Sequence, residues 1–188
     1  VYERNFDESD MNIDITSSSG KKPYMSDWIT YTDIQNPDNT RHIMTIEYND
    51  NSDYTFGISY TDMAGNAAKE TNYNGSTAPD DFTIDLTDPE IMITFDNNNY
   101  VNGNYYKAGR TAVITILEHN FNEKDVDMRI TANGTILNNV NFVNDGDRHI
   151  ATVRFDKDGY YEIEAGYTDM AGRTAIRTDK HDFYIDMT

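Results

Sequence analysis

Tyr60-Thr61-Asp62-Met63-Ala64-Gly65-Asn66 returns 107 positions later as Tyr167-Thr168-Asp169-Met170-Ala171-Gly172-Arg173, with six identical residues in a row. The match extends without a gap from Arg41-His42-Ile43, which meets Arg148-His149-Ile150, through Tyr54, which meets Tyr161. Further upstream, Glu3-Arg4-Asn5-Phe6 meets Glu118-His119-Asn120-Phe121 at a displacement of 115, so the first copy carries eight extra residues within 17–40. Downstream, Phe82-x-Ile84-Asp85 meets Phe183-x-Ile185-Asp186, and the first copy is longer by six residues across 71–81. The chain therefore reads as two copies of one module, residues 1–87 and 88–188.

The second copy is a succession of short alternating runs. Glu90–Phe95 places Ile91, Ile93 and Phe95 on one face, the period of two that a half-buried strand requires. Arg110–Leu117 is a β-branched run, and Val126, Met128 and Ile130 alternate in a third strand. Ile136–Phe142 is a weaker strand, followed by a turn at Asn144–Asp147. His149–Phe155 then groups Ala151, Val153 and Phe155, and Tyr161, Ile163, Ala165 and Tyr167 line one face of the next strand. Met170–Gly172 turns the chain into a last strand running through Ile176 towards Phe183 and Ile185. Asp96–Gly109 is polar and Asn-rich, and reads as a long loop or irregular edge. About seven strands at roughly 8–12-residue spacing, with no helical periodicity, predict an all-β fold. An immunoglobulin-like β-sandwich is the natural packing, with a jelly roll or open barrel as alternatives.

The first copy enters its module late. What corresponds to residues 89–116 would precede Val1, so this module is expected to lack its N-terminal strands. Its insertion at 17–40 holds Trp28, the only tryptophan, with Tyr24 and Tyr31. Between the copies, Pro89 holds Asp88 in an extended conformation and stiffens the linker Asp85–Glu90.

Composition narrows the partners. A formal net charge of −18 disfavours a nucleic-acid backbone or an anionic membrane and invites cations. No run reaches the roughly 18 apolar residues of a membrane-spanning helix, which predicts no membrane insertion in this segment. The chain has no cysteine, which excludes disulfides, thiolate chemistry and Cys-ligated zinc.

A strand ending Tyr-x-Asp-x-Ala-Gly-Asn, then a closing strand ending Phe-x-Ile-Asp-x-Thr-x-Pro, resembles the bacterial Ig-like repeats of large surface proteins of Gram-positive bacteria. The resemblance covers essentially the whole chain. It implies an extracellular, cell-wall-anchored or secreted protein built of neighbouring Ig-like modules, in which such domains act as spacers or adhesive units towards a host protein or glycan. A carbohydrate-binding accessory region of an extracellular enzyme or adhesin is the alternative reading. Fold analogy of this kind does not carry function by itself.

The residues suggest three places for chemistry. In an Ig-like sandwich, the loop after the second strand and the hairpin before the last strand lie at the end that receives the linker. Asp85, Asp88, Glu118, Asn120, Asn122, Glu123, Asp125 and Asp169 are then expected to crowd one junction. Several carboxylates together need a counter-charge, and Ca²⁺ takes six to eight oxygens, so an interdomain Ca²⁺ site built mainly on Asp85, Asp88, Glu118, Asn120, Asp125 and Asp169 is one expectation. The alternative is a solvated acidic surface partly neutralised by Lys124 and Arg173. The second place is the aromatic set Trp28, Tyr24 and Tyr31, which either stacks on sugar rings or covers the sandwich end left bare by the missing strands. The third is an internal Lys–Asn isopeptide through Lys107 or Lys157. His42 and His149 read as packed histidines, and Tyr54 and Tyr161 as hydroxyls bonding back across a turn. No serine elbow, phosphate-cradling glycine loop or His-Glu-x-x-His occurs, so no catalytic residue is assigned and the chain is expected not to be an enzyme.

Overall fold

The alternating runs fold as strands. The computed structural model describes residues 1–69, 81–137 and 140–188, which form two compact units, Val1–Leu86 and Thr87–Thr188. Among the described residues, helical structure is limited to three 3₁₀ turns, Glu8–Asp10, Pro37–Asn39 and Glu123–Asp125. The expanded stretch at 71–81 lies, Asp81 apart, outside the described residues.

The first unit contains β1 (Met11–Ser17), β2 (Tyr24–Met25), β3 (Ile29–Tyr31), β4 (Arg41–Ile43), β5 (Ile46–Glu47), β6 (Ser52–Tyr60) and β7 (Asp81–Ile84). β6 lies between β1 and β7, while β2 pairs with β5 and β3 with β4. The second unit contains β8 (Glu90–Phe95), β9 (Tyr100–Asn102), β10 (Tyr105–Tyr106), β11 (Arg110–Leu117), β12 (Val126–Ala132), β13 (Thr135–Ile136), β14 (Phe142–Asp145), β15 (Arg148–Phe155), β16 (Gly159–Tyr167) and β17 (His181–Ile185). One sheet has the order β14-β15-β11-β8 and the other β13-β12-β16-β17-β10-β9.

These two sheets share one core. Ala112 and Ile114 of β11 and Ala151 and Phe155 of β15 meet Ile130 of β12, Ile163 and Ala165 of β16, and Phe183 and Ile185 of β17. The second unit is thus β-sandwich-like, and each fully buried Ile or Phe contributes about 1.5–3 kcal/mol. Arg110 is buried beside this core. Its guanidinium lies 3.9 Å from the ring centroids of Phe95 and Tyr106 and 4.5 Å from that of Phe183. It donates to the Asn97 carbonyl and to Asn98 Oδ1.

Three expectations change. Ile176 is 92% exposed, and the last strand begins only at His181. The Ala175 amide donates to the Tyr167 carbonyl and the Thr178 amide to the Ala165 carbonyl. Three residues therefore advance on one side for two on the other, and such an extra residue turns the following side chain away from the sheet face. Ile136–Phe142 is not one strand: β13 ends in one sheet and β14 begins in the other, with 138–139 outside the described residues. Within Asp96–Gly109, β10 lies parallel to β17, Tyr105 opposite Tyr184 and Tyr106 opposite Ile185.

The units repeat one another beyond the sequence match. Ile29, Thr30 and Tyr31 oppose Ile43, His42 and Arg41. Val143, Asn144 and Asp145 oppose Ile150, His149 and Arg148 in the same register. β3 is therefore the counterpart of β14, and Trp28 stands where Phe142 stands. Nine residues, 32–40, connect Tyr31 to Arg41, where residues 146 and 147 suffice in the second unit. Nearly all of the insertion is this loop. The Tyr2–Arg41 bridge likewise occupies the place of the Leu117–Arg148 pair.

Candidate functional site

At one end of each unit, the residues repeated most faithfully form a single constellation. His42 Nε2 bonds the Glu3 carbonyl at 2.8 Å, and His149 Nε2 bonds the Glu118 carbonyl at 2.7 Å. The other ring nitrogen meets Thr30 Oγ1 in one copy and Asn144 Oδ1 in the other. Phe6 stacks on His42 at 4.2 Å between centroids, and Phe121 on His149 at 4.0 Å. Phe6 and Phe121 each lie 5.4 Å from the tyrosine that opens the repeated motif, Tyr60 and Tyr167 respectively. Both histidines are buried with both nitrogens engaged, so their role is to hold a loop and not to bind metal.

The motif itself is a capped hairpin. Gly65 and Gly172 take φ of +88° and +82°, a region that glycine enters without strain. Asp62 Oδ1 accepts from the Ala64 and Asn66 amides, and Asp169 Oδ1 accepts from the Arg173 amide. These bonds hold the Asp62 carboxyl below the ordinary carboxylate range, the Asn66 side-chain bond contributing most. Tyr54 and Tyr161 hydroxyls donate to the Asp50 and Lys157 carbonyls, each four residues upstream, as the turn reading expected.

The copies part at one oxygen. In the first unit Asn66 Nδ2 donates to Asp62 Oδ2 at 2.8 Å. In the second, Arg173 replaces that asparagine, and its guanidinium bonds Asp88 at 2.9 Å. Asp169 is only 5% exposed, and its Oδ2 is buried without a hydrogen-bond partner. Among the described residues the one other buried side-chain polar atom in that state is the Tyr60 hydroxyl, which lies beside the Asp7 amide outside hydrogen-bonding geometry. Glu118, also 5% exposed, places a carboxylate oxygen within 4.8 Å of one on Asp169. Its Oε1 accepts from the Asn120 amide.

The Tyr167 hydroxyl accepts from the Asn122 amide at 3.0 Å. Burial pushes its pKa up, and the charges of Glu118, Asp125 and Asp169 push it further in the same direction. Of the six residues expected to gather, the second unit thus brings Glu118 and Asp169 together. Asp125 accepts from Asn122 Nδ2, Asp88 pairs with Arg173, and Asn120 contributes its backbone amide. Asp85 follows β7 at the end of the first unit, half-buried.

The aromatic set divides. Trp28 is half-buried and packs edge-on against Phe6 with centroids 4.9 Å apart, as Phe142 packs against Phe121 at 5.2 Å. Tyr24 and Tyr31 are exposed. Tyr31 lines an open groove of about 550 Å³ with Tyr2, Ile34, Gln35, Asn39 and Arg41, and the Arg41 guanidinium lies 5.1 Å from its ring centroid. This groove belongs to the 32–40 loop, whose position only the strand register reveals.

No model of a known protein family matches the chain, and no curated protein matches it.

Proposed function

We propose that the chain is a pair of tandem immunoglobulin-like modules from an extracellular bacterial protein, cell-wall-anchored or secreted. In this reading the modules act without catalysis as a spacer that presents a ligand-binding part of the same protein. One observation carries the reading: apart from the exposed Met63 and Met170, the side chains repeated in both copies and seen in contacts hold the scaffold. The histidines fix a loop, Asp62 and Asp169 cap a hairpin, Tyr54 and Tyr161 close a turn, and Phe6 and Phe121 fill the end of each unit. Duplication that preserves scaffold and lets loops vary supplies length, whereas a duplicated binding site would preserve its surface.

A second reading rests on the groove around Tyr31. An exposed aromatic face bordered by Gln35, Asn39 and Arg41 offers the stacking surface and polar donors that a sugar ring uses. A glycan panel separates the two readings. The spacer reading expects no binding tighter than about 1 mM, a weak −4 kcal/mol. Micromolar binding that disappears in Tyr31→Ala would replace it with the carbohydrate reading.

A further inference from the structure

We propose that Glu118 and Asp169 form a binding site for one hard divalent cation, Ca²⁺ first among them, which the second module possesses and the first lacks. The observation is the vacated Asp169 Oδ2. A carboxylate oxygen that is buried and unpartnered carries an uncompensated desolvation cost. In the first module the Asn66 amide meets the equivalent oxygen. Arg173 cannot stand in for it, because its guanidinium reaches to Asp88.

The geometry suits an ion. Ca²⁺ holds oxygens at roughly 2.4 Å, so two of its ligands stand at most about 4.8 Å apart, and the Glu118 and Asp169 oxygens lie within that distance. Glu118 Oε1 accepts from the Asn120 amide and Asp169 Oδ1 from the Arg173 amide, so both carboxylates are already oriented and binding orders little that is not ordered already. Two protein carboxylates leave several positions for water, the low-affinity extracellular class with Kd of about 10⁻⁴–10⁻³ M. The inference does not depend on the spacer reading.

Calorimetric titration of the full chain with CaCl₂ after EDTA treatment tests it. One Ca²⁺ binds per chain, and at about 10 mM the ion raises the Tm of the second unit by several degrees. Asp169→Asn abolishes binding, and Asp62→Asn leaves the stoichiometry at one. Arg173→Asn is the decisive variant, since it installs the first module's amide against Oδ2. Affinity then falls at least about tenfold, although a positive charge has been removed. An absence of saturable binding overturns the proposal. So does unchanged or tighter binding in Arg173→Asn, the behaviour of a diffuse acidic surface.

Discussion

Trp28→Ala distinguishes a packed residue from a sugar platform. Fully buried Trp→Ala or Phe→Ala substitutions cost about 3–5 kcal/mol. Trp28 is half-buried, with one edge-on ring partner, Phe6, at 4.9 Å, and such a pair contributes about 0.5–1.5 kcal/mol of the total. The expected loss is therefore about 2 kcal/mol, close to a 30-fold rise in the opening constant of the first unit. Because the substitution removes the chain's only tryptophan, fluorescence cannot follow it. Hydrogen exchange of the β6 amides, which bond β1 on one side and β7 on the other, reads the first unit alone. Tyr24→Ala, at an exposed position, is the control and should change stability by less than about 0.5 kcal/mol. Unchanged β6 protection in Trp28→Ala would refute the reasoning, and with it the equivalence of Trp28 and Phe142.

The remaining predictions concern backbone, buried charge and pH. Gly172→Ala should cost about 1–2 kcal/mol through its positive φ alone, because a Cβ there meets nothing within 4 Å. Gly109→Ala should cost more, since its Cβ would stand 2.8 Å from the Phe155 carbonyl oxygen; a Tm ranking of the two variants checks this. Arg110→Met keeps much of the packing but removes the cation from three rings and two hydrogen-bond acceptors. It should destabilise the second unit by about 2 kcal/mol or more, measured by urea denaturation. Asp96 accepts from the Thr111 amide at 2.7 Å, which holds its carboxyl below the ordinary range. A depressed folded value means that the unfolded chain binds more protons in that window. The contribution is thus present above about pH 4 and is lost as pH falls through the folded value. The slope of Tm against pH between about 5 and 2.5 should flatten in Asp96→Asn.

Much of the second unit is legible because its strands obey a simple period. β8, β11, β12, β15 and β16 each run over six or more residues, and their buried apolar side chains follow a period of two, with Thr115, Thr131 and Gly166 buried out of step. β10 is illegible because two residues, Tyr105 and Tyr106, carry no period, and their partner β17 lies far along the chain. Ile176 misled because the chain after the hairpin is irregular there: Ala175 is buried, Ile176 next to it is exposed, and the last strand begins only at His181. The equivalence of Trp28 and Phe142 leaves no trace in residue identity; it emerges only from the register of β3 on β4. The candidate site is a subtler case. Asn66 and Arg173 stand in plain view at the end of the repeated motif, and their difference was visible from the start. What it does to one carboxylate oxygen depends on where the asparagine amide points, which periodicity cannot report.

The placement of β17 has a mechanical consequence. β16 lies antiparallel on one edge of this strand and β10 lies parallel on the other. The Tyr184 ring sits between the two neighbours, 4.5 Å from Tyr105 and 4.7 Å from Tyr160. Tension along the strand axis loads the bonds of both edges at once, in shear, so they must rupture together. Tension across it would open them one after another. A strand gripped on both sides cannot be peeled from either, and the second unit should resist a pull along β17 far better than its thermal stability would suggest.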